Sequence, residues 1–467
     1  MAPGGKFILQ QSRLAWPAAH LLVALLLLWI AFANGSPLFF PDSGSYLSVS
    51  KLLGYPWDRP PVYGFAIAPF QLAFGLWGVI VAQALFATWV IGIVLERVTG
   101  RRSPLGLVVA AAVLAGASSL PWFVGQLMPD LFTGLTILLI FLLVFAARDS
   151  PRGARLLLVL LLTVLITFHL SHLAIAALLI PAALLAGIWL GLRRTALIGA
   201  THAAAALLLA VLVLSTGNWI VRGQFRPALT SESFLFARLL DAGLAGEVLD
   251  RACAERPLGL CAARPAMQRA WRPGQGYLWG QASPREALYR AAPERTRAEE
   301  SEIIRRTLAE RPADVLRIAL WDWIRQLVRA RSGDALDDPS VERVALPILR
   351  EHFPSAAAAW KTSLQGHRQL HLLASPLDRW LALFAGLASP FILLAARRRG
   401  DAVLAGLTIV IVAAVLANAA VCSLLSGVFD RYQARVTWLL PLLAILAFHR
   451  LQLPKTGEQL EAVHHVA

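Results

Sequence analysis

The stretch LWGVIVAQALFATWVIGIVLERVTGRR (residues 76–102) decides the fold class of this chain. Its first part, residues 76–95, is a predominantly apolar run of about 20 residues, the length that an α-helix needs to cross a hydrocarbon core of about 30 Å. Arg97, Arg101 and Arg102 follow directly. An apolar run that ends in clustered arginines is typical of a membrane span whose end faces the cytoplasm.

The same pattern recurs along the chain, whose 467 residues are 57% hydrophobic and have a mean hydropathy of +0.62. This composition excludes a soluble globular protein, and we expect an all-α polytopic membrane protein. The apolar runs predict a bundle of about ten transmembrane helices, at residues 14–34, 76–95, 104–121, 130–147, 155–171, 173–191, 196–217, 378–396, 401–423 and 434–450.

The positive charges between these runs fall on alternate sides. They precede the first predicted span and follow the second, fourth, sixth and eighth: Lys6 and Arg13; Arg97, Arg101 and Arg102; Arg148, Arg152 and Arg155; Arg193 and Arg194; Arg397, Arg398 and Arg399. By the positive-inside rule these loops are cytoplasmic, and so are both termini. The net charge of +15 is therefore interpreted as a topology signal. Without a basic stripe or recognition helix, we expect no nucleic-acid partner.

The longer polar segments all fall on the opposite, extracytoplasmic side. The prediction is an N-terminal transmembrane module with a first external loop, a mainly helical extracytoplasmic segment, and a C-terminal transmembrane module with a short cytoplasmic tail. These parts comprise residues 1–217 (external loop 36–75), 218–377 and 378–467.

Three local features belong to the extracytoplasmic side. Residues 64–77 are expected to form a helix in the membrane interface. Residues 301–332 predict two amphipathic stretches that meet near Pro312. Cys253 and Cys261 enclose a short loop and become a candidate disulfide if this side of the membrane is oxidising.

Polar groups gather where the first external loop meets the membrane, in PDSGSYLSVSKLLGYPWDRPPVY (residues 41–63). Asp42 in this stretch, and Asp130 later in the chain, each follow a proline at the external end of a predicted span. Each could cap a helix N-terminus, because Asp accepts hydrogen bonds from free N–H groups. Alternatively, a partly desolvated carboxylate at a membrane edge can act as a general base for a hydroxyl.

Histidines and arginines join these acids on the same side. His169 and His172 lie three residues apart and could cap a turn or bind a phosphate oxygen. Two histidines without further ligands are a weak metal signal, so no metal site is predicted. Four residues at the external ends of later spans could anchor those ends or bind an anion: Asn218, Arg222, Arg431 and Arg435.

The first external loop resembles that of the multi-span GT-C glycosyltransferases, which include the protein O-mannosyltransferases and the lipid A aminoarabinose transferases. Their loop reads approximately Asp-Glu-x-x-Tyr and then His- or Lys-Pro-Pro-Leu-Tyr. The corresponding residues here are Asp42-Ser43-Gly44-Ser45-Tyr46 and Arg59-Pro60-Pro61-Val62-Tyr63. Two further elements resemble the family's second acid and its late basic-Tyr element: Asp130 and Arg431-Tyr432. Ser43 departs from the pattern, because it stands where the family has an acid.

The resemblance implies a GT-C-like fold and a glycosyltransferase at the extracytoplasmic face of a bacterial inner membrane. The donor would be a polyprenyl-phosphate-linked sugar, and the acceptor a glycan, lipid or protein that the sequence does not identify. Asp42 and Asp130 would be catalytic, with Asp42 as the base and inversion at the anomeric carbon. The residues that would bind the departing phosphate are Arg59, His169, His172, Arg222 and Arg431, and those that would bind other parts of the substrates are Tyr46, Tyr63, Asn218 and Arg435.

No cofactor is expected, because cationic side chains can hold a monophosphate leaving group without a metal. The sequence leaves a divalent metal open. The expected surroundings are membrane lipids.

Two other classes of function stay open at this point. A transporter or flippase for a lipid-linked or anionic solute would carry polar groups near the bilayer midplane and often internal repeats. This sequence shows no repeat and concentrates its polar groups on one face. A non-catalytic membrane scaffold would use residues 218–377 for docking and would tolerate changes in the first external loop.

Overall fold

The structure, a computed structural model, describes residues 4–147, 150–270, 272–280 and 283–452. Across these residues the regular elements are helices, which confirms the all-α prediction. One isolated parallel bridge pairs Leu38 with Gln126. Arg148, from the basic loop after the fourth predicted span, lies outside the described residues, as does the tail from residue 453.

The residues described up to position 222 form ten helices. They are α1 (Gly4–Leu27), α2 (Trp29–Asn34), α3 (Ser43–Leu52), α4 (Val62–Thr99), α5 (Pro104–Ala117), α6 (Leu120–Val124), α7 (Leu131–Phe141, continued by a π-helical turn at Leu142–Ala146), α8 (Arg152–Thr167), α9 (Leu170–Trp189) and α10 (Arg193–Arg222).

The remaining helices include many short ones before the last spans. They are α11 (Ser231–Asp241), α12 (Ala245–Glu255), α13 (Gly259–Arg269), α14 (Pro273–Trp279), α15 (Pro284–Ala291), α16 (Pro293–Glu310), α17 (Pro312–Val328), α18 (Pro339–His352), α19 (Pro354–Thr362), α20 (Leu377–Arg398), α21 (Ala402–Leu425), α22 (Asp430–Thr437) and α23 (Leu439–Leu451), with a 3₁₀ turn at Leu370–Leu373.

Among the described residues, six helical stretches are long and apolar enough to cross a membrane, which supports a multi-pass membrane protein. They are α4, α9, α10, α20, α21 and the pair α22–α23. Three other predicted spans form shorter apolar helices, at Ala15–Leu27, Pro104–Ala117 and Leu131–Ala146. Helix α8 has 16 residues. Because these four apolar helices are shorter than a full crossing requires, the count of about ten spans is not confirmed.

Gly75 divides α4 into two segments. Its backbone has φ +65° and ψ −166°, which glycine tolerates and which breaks the helix into residues 62–74 and 76–99. The second segment corresponds to the predicted second span. The first segment presents an apolar side, as an interfacial helix does, through exposed Phe65, Phe70, Leu72 and Phe74.

Helix α7 is the centre of the bundle, because every residue from Leu131 to Phe141 is buried. It packs against α8, α9, α21 and α22. Gly134 allows the closest approach: a Cβ at this position would lie 2.5 Å from the Trp438 ring. This central helix carries Asp130 at its N-terminal end.

Helices α11–α16 form what we call the helical lobe (residues 231–310). It has a core of its own, including Phe236, Leu240, Leu249, Met267, Tyr277 and Ile303. A disulfide joins Cys253 and Cys261, the candidate pair, between α12 and α13. Helix α16 ends at Glu310 and α17 begins at Pro312, which confirms the predicted meeting of two helices there. Helix α17 then packs along α21.

Helix α3 is held between α18 and the first segment of α4. Two glycines permit these contacts. A Cβ at Gly44 would lie 3.1 Å from Ala345 Cα, and one at Gly64 would lie 2.5 Å from Val49 Cβ. The position of α3, which begins directly after Asp42, is therefore fixed on two sides.

The contact between Gly134 and Trp438 gives a test of the central packing. Gly134→Ala should lower the free energy of unfolding by about 1–3 kcal/mol, because the added methyl group displaces a buried indole. Denaturant titration in detergent measures the change. Gly116→Ala is the matched control, since a Cβ there meets nothing within 4 Å, and its stability should stay at or slightly above that of the parent. Equal stability of both variants would contradict the packing described for α7.

Candidate functional site

Backbone hydrogen bonds hold the segment before Asp42 against the segment before Asp130. The Leu38 N–H donates to the Gly125 carbonyl at 2.9 Å, and the Leu127 N–H donates to the Leu38 carbonyl at 3.0 Å. The two Pro-Asp dipeptides are thereby brought to the same end of the bundle.

Two buried glutamines fix these segments further. The Gln365 side chain accepts from the Phe39 N–H at 3.0 Å and donates to the Phe39 carbonyl at 2.5 Å. The Gln83 side chain donates to the carbonyls of Val124 and Gln126, at 3.0 Å each. Because buried amides are costly unless they are hydrogen-bonded, each glutamine favours one conformation of the loop that it holds.

Asp42 is the accessible acid of the site. Arg59 donates to Asp42 Oδ1 at 3.1 Å, pairs with Asp58, and lies 5.3 Å from the Tyr46 ring centroid. Burial lowers the pKa of Arg59, but Asp42 and Asp58 raise it by more, so its guanidinium stays charged. The Asp42 side chain is 32% exposed, against 6% for Asp58. Asp42 is therefore the more accessible of these two acids.

Asp130 belongs to a second, deeper cluster around Arg435. The two side chains are 3.3 Å apart and are 1% and 0% exposed. Arg435 also donates to Asn418 Oδ1 at 2.9 Å, to Ser171 Oγ at 3.0 Å and to Cys422 Sγ at 3.1 Å. A buried ion pair is stable only with such additional hydrogen bonds, because both charges have lost their water.

Neither aspartate caps its helix. Asp42 (φ −70°, ψ −18°) and Asp130 (φ −59°, ψ −35°) occupy the position before α3 and α7, but their side chains accept no hydrogen bond from the helix. Asp338 and Asp401 show the contrast, because each accepts from a backbone N–H in the first turn of its helix. Of the two roles open to Asp42 and Asp130 from the sequence, capping is the one that the structure does not support.

Arg431 lies between the two clusters. Its Nη1 is 3.8 Å from Asp42 Oδ2, and its guanidinium lies 3.8 Å from the Phe40 ring centroid. Two buried atoms, Arg431 Nη1 and Asp130 Oδ2, form no hydrogen bond within the described residues. Since buried polar atoms are nearly always bonded, this donor and this acceptor could bind a polar ligand.

The two histidines differ in their availability. His172 is buried, and both of its ring nitrogens are hydrogen-bonded. Nε2 lies 2.8 Å from Thr133 Oγ1, and Nδ1 lies 2.7 Å from the Leu165 carbonyl. His169 Nδ1 accepts from the Ser171 N–H at 3.2 Å, so a neutral ring carries its proton on Nε2. That N–H can donate to a ligand. His169 is thus a candidate anion-binding residue, whereas His172 has a structural role.

The two predicted tyrosines also differ in whether their hydroxyls already have a hydrogen-bond partner. Tyr63 is buried, and its hydroxyl donates to Gln83 Oε1 at 2.7 Å. Tyr46 packs edge-on against Tyr63, with ring centroids 5.0 Å apart. Burial raises the pKa of Tyr46 above its ordinary value, so the phenol stays protonated. Its hydroxyl bonds to no other described residue, which leaves Tyr46 as the potential donor.

Asn218 and Arg222 are not part of the arginine cluster. Instead they brace the loop between α3 and α4 (residues 53–61, the α3–α4 loop). The Tyr55 hydroxyl donates to Asn218 Oδ1 at 2.7 Å, and Arg222 donates to the Tyr55 carbonyl at 3.1 Å. Asn218 also donates to the Arg226 carbonyl at 2.7 Å. Both predicted residues therefore contact the α3–α4 loop and lie apart from the arginine cluster.

Within the described parts of the chain, no group of three or more His, Cys, Asp or Glu is placed to hold a metal ion. An open groove of about 390 Å³ runs beside α3 and α18. Its lining residues are Gly44, Ser45, Ser48, Val49, Gly54, Tyr55, Pro56, Val344 and Ile348. The groove includes Gly44 and Ser45 in the first turn of α3, whereas Asp42 is not among its lining residues.

Several residues that shape the site were missed by sequence reasoning. Asn418 and Gln83 stand inside apolar spans, and a polar residue in a span is costly and often functional, so this signal was available. Gln365 gave no signal, because it lies in a polar segment 326 residues from its partner Phe39. Ser171 was part of the His169–His172 turn but was not singled out.

Comparison of the chain with protein-family models, with curated proteins and with solved structures found no match.

The buried pair of Asp130 and Arg435 predicts a strong energetic coupling between the two charges. Arg435→Met should lower the free energy of unfolding by about 3–5 kcal/mol, because Asp130 is left buried without a cation. Adding Asp130→Asn should restore much of this loss, since the uncompensated charge is removed. A double-mutant cycle by denaturant titration in detergent measures the interaction.

Arg290→Met serves as the control for that cycle, because Arg290 is 79% exposed and pairs with Glu286 within its own helix. Its unfolding should match that of the parent. Additive losses from Asp130→Asn and Arg435→Met would contradict a direct interaction between the two side chains.

Proposed function

We propose that this chain is a membrane glycosyltransferase of the GT-C type, which transfers a sugar from a polyprenyl-phosphate donor to an acceptor on the extracytoplasmic face of a bacterial inner membrane. One observation carries the proposal. Asp42 has an accessible carboxylate that does not cap its helix and that lies between two arginines, Arg59 and Arg431. A base beside cationic phosphate ligands is what this transfer requires.

Asp42 is the general base in this scheme. An acceptor hydroxyl or amine attacks the anomeric carbon and gives its proton to Asp42. The bond between that carbon and the phosphate oxygen breaks, and its electron pair leaves with the polyprenyl phosphate. Attack from the side opposite the leaving group inverts the configuration. Because Asp58 also pairs with Arg59, Asp42 is not the sole partner of that cation.

The departing phosphate gains negative charge that nearby donors can stabilise. Arg431 supplies Nη1, which is buried and forms no hydrogen bond within the described residues. His169 supplies its Nε2–H, and Arg59 lies beside Asp42. Asp130 Oδ2 is a buried acceptor suited to a sugar hydroxyl.

The first segment of α4 offers apolar surface for the prenyl chain. It begins at Val62, directly after the α3–α4 loop, and its exposed side carries Phe65, Phe70 and Phe74. A lipid-linked donor needs an apolar surface next to its phosphate site. The orientation with both termini cytoplasmic belongs to this proposal, because it places the donor site on the extracytoplasmic side.

The test is sugar transfer by the purified protein in liposomes that contain polyprenyl-phosphate sugars, with candidate glycan, lipid and protein acceptors. Asp42→Asn should lower the transfer rate by about 10²-fold or more, since asparagine has the shape of aspartate but cannot accept the proton. Asp250→Asn is the matched control, because Asp250 is an exposed acid of the helical lobe that pairs with Arg264. It should leave the rate unchanged.

Full activity of the Asp42→Asn protein would refute the assignment. Solute flux into the liposomes without a glycosylated product would instead support a transporter. Partner binding that survives changes in the first external loop, again without product, would support a scaffold.

Arg431 gives a second test of the same proposal. Arg431→Gln should weaken the binding of polyprenyl phosphate by about 10- to 100-fold, because a charge-assisted hydrogen bond is lost. Calorimetric titration of the detergent-solubilised protein measures the affinity. Unchanged affinity in this variant would exclude Arg431 from the phosphate site.

A further inference from the structure

A buried polar network lies in the helical lobe, away from the aspartates and arginines of the site. Its centre is Glu300, which is 0% exposed. The hydroxyls of Tyr277 and Tyr289 each donate to it at 2.6 Å, and the Ser233 hydroxyl donates at 3.0 Å. Three donors on one buried carboxylate make a rigid centre.

Arg285 connects this centre to the lobe surface. Its Nε donates to Ser233 Oγ at 3.1 Å, so Ser233 lies between Arg285 and Glu300. The guanidinium stacks 3.9 Å from the Tyr289 ring centroid, and the whole residue is only 4% exposed. The orientation of Arg285 is therefore set by the lobe.

The other face of Arg285 covers a residue that lies outside the lobe. The guanidinium is 3.7 Å from the ring centroid of Trp57, in the α3–α4 loop. The Trp57 ring also lies 5.4 Å from that of Trp279 in α14. A desolvated guanidinium on an indole is among the stronger cation–π contacts. Trp57 is thus held by the lobe.

Trp57 directly precedes the two residues that engage the accessible acid. Asp58 pairs with Arg59, and Arg59 donates to Asp42 at 3.1 Å. A displacement of Trp57 therefore moves Asp58 and Arg59 along the same short loop. The path from the lobe to Asp42 is a continuous series of direct contacts.

We propose that Arg285 is a positioning residue: it holds Trp57 and thereby sets the α3–α4 loop in the conformation that presents Arg59 to Asp42. Its effect on sugar transfer rests on the proposed function, whereas its effect on the loop does not. The lobe then controls the geometry of the site without touching the reacting atoms.

The experiment measures loop opening by the rate at which endoproteinase Asp-N cleaves before Asp58, mapped by mass spectrometry on the full-length protein. Cleavage of a held loop follows the population of its open form. Arg285→Ala should accelerate cleavage about tenfold when residue 57 is Trp. In a Trp57→Ala background the same change should accelerate it by less than about twofold, because the contact is already lost.

Arg290→Ala, on the same helix but exposed, is the control and should leave cleavage unchanged in both backgrounds. Arg285→Lys keeps a cation but loses the planar stack on Trp57 and the bond to Ser233, so it should accelerate cleavage by less than Arg285→Ala does. No acceleration by Arg285→Ala, equal acceleration in both backgrounds, or a Lys variant as fast as the Ala variant would each overturn the proposal.

The transfer assay separates this inference from the proposed function. If Arg285 positions the loop in an active enzyme, Arg285→Ala lowers kcat/KM about tenfold with Trp57 present and little without it. Loop opening as predicted, in a parent protein that transfers no sugar, would leave the positioning role standing and refute the transferase. Transfer by a parent whose loop does not respond to Arg285 would do the reverse.

Discussion

The ion pair between Arg435 and Asp130 is the constraint on which the centre of this molecule depends. Two charges without water are tolerable only where every remaining donor is matched, and Arg435 meets this condition through Asn418 in α21 and Ser171 in α9. Asp130 precedes α7, so one guanidinium ties α22 to three other helices. Trp438 adds to this arrangement, since its indole N–H donates to the Arg435 carbonyl at 3.0 Å.

The deep pair also determines the position of the shallower cation. Arg431 lies four residues before Arg435 in α22, and residues at this spacing share one helix face. Once Arg435 is fixed inside the bundle, Arg431 is directed towards the same end, where it stacks on Phe40 and approaches Asp42. The site is therefore built from the inside outwards, with a buried pair supporting a cation closer to the surface.

Local patterns in the sequence were enough to predict the helical fold and the part of the site that lies in the first external loop. Asp42, Tyr46 and Arg59 lie within one short stretch, so their proximity could be predicted from sequence alone. The partners of Arg435 could not, because Asp130 is 305 residues away and the pairing depends on how four helices pack. The sequence did predict two helices here, an interfacial one at residues 64–77 and a span at residues 76–95. It did not identify Gly75 as the break, since a single glycine in an apolar run does not reveal its backbone conformation.

The α3–α4 loop is where the helical lobe meets the membrane bundle. Tyr55 is held from the end of α10, Trp57 from the helical lobe, and Arg59 by the acids of the site. Because the loop is held at three points, it has little conformational freedom of its own. Its conformation therefore depends on the relative positions of α10, the helical lobe and the acids of the site. The helical lobe therefore does more than connect the apolar helices before it to those after it. Because its buried network around Glu300 fixes Arg285, a disturbance inside the lobe reaches Asp42 through contacts between neighbouring side chains.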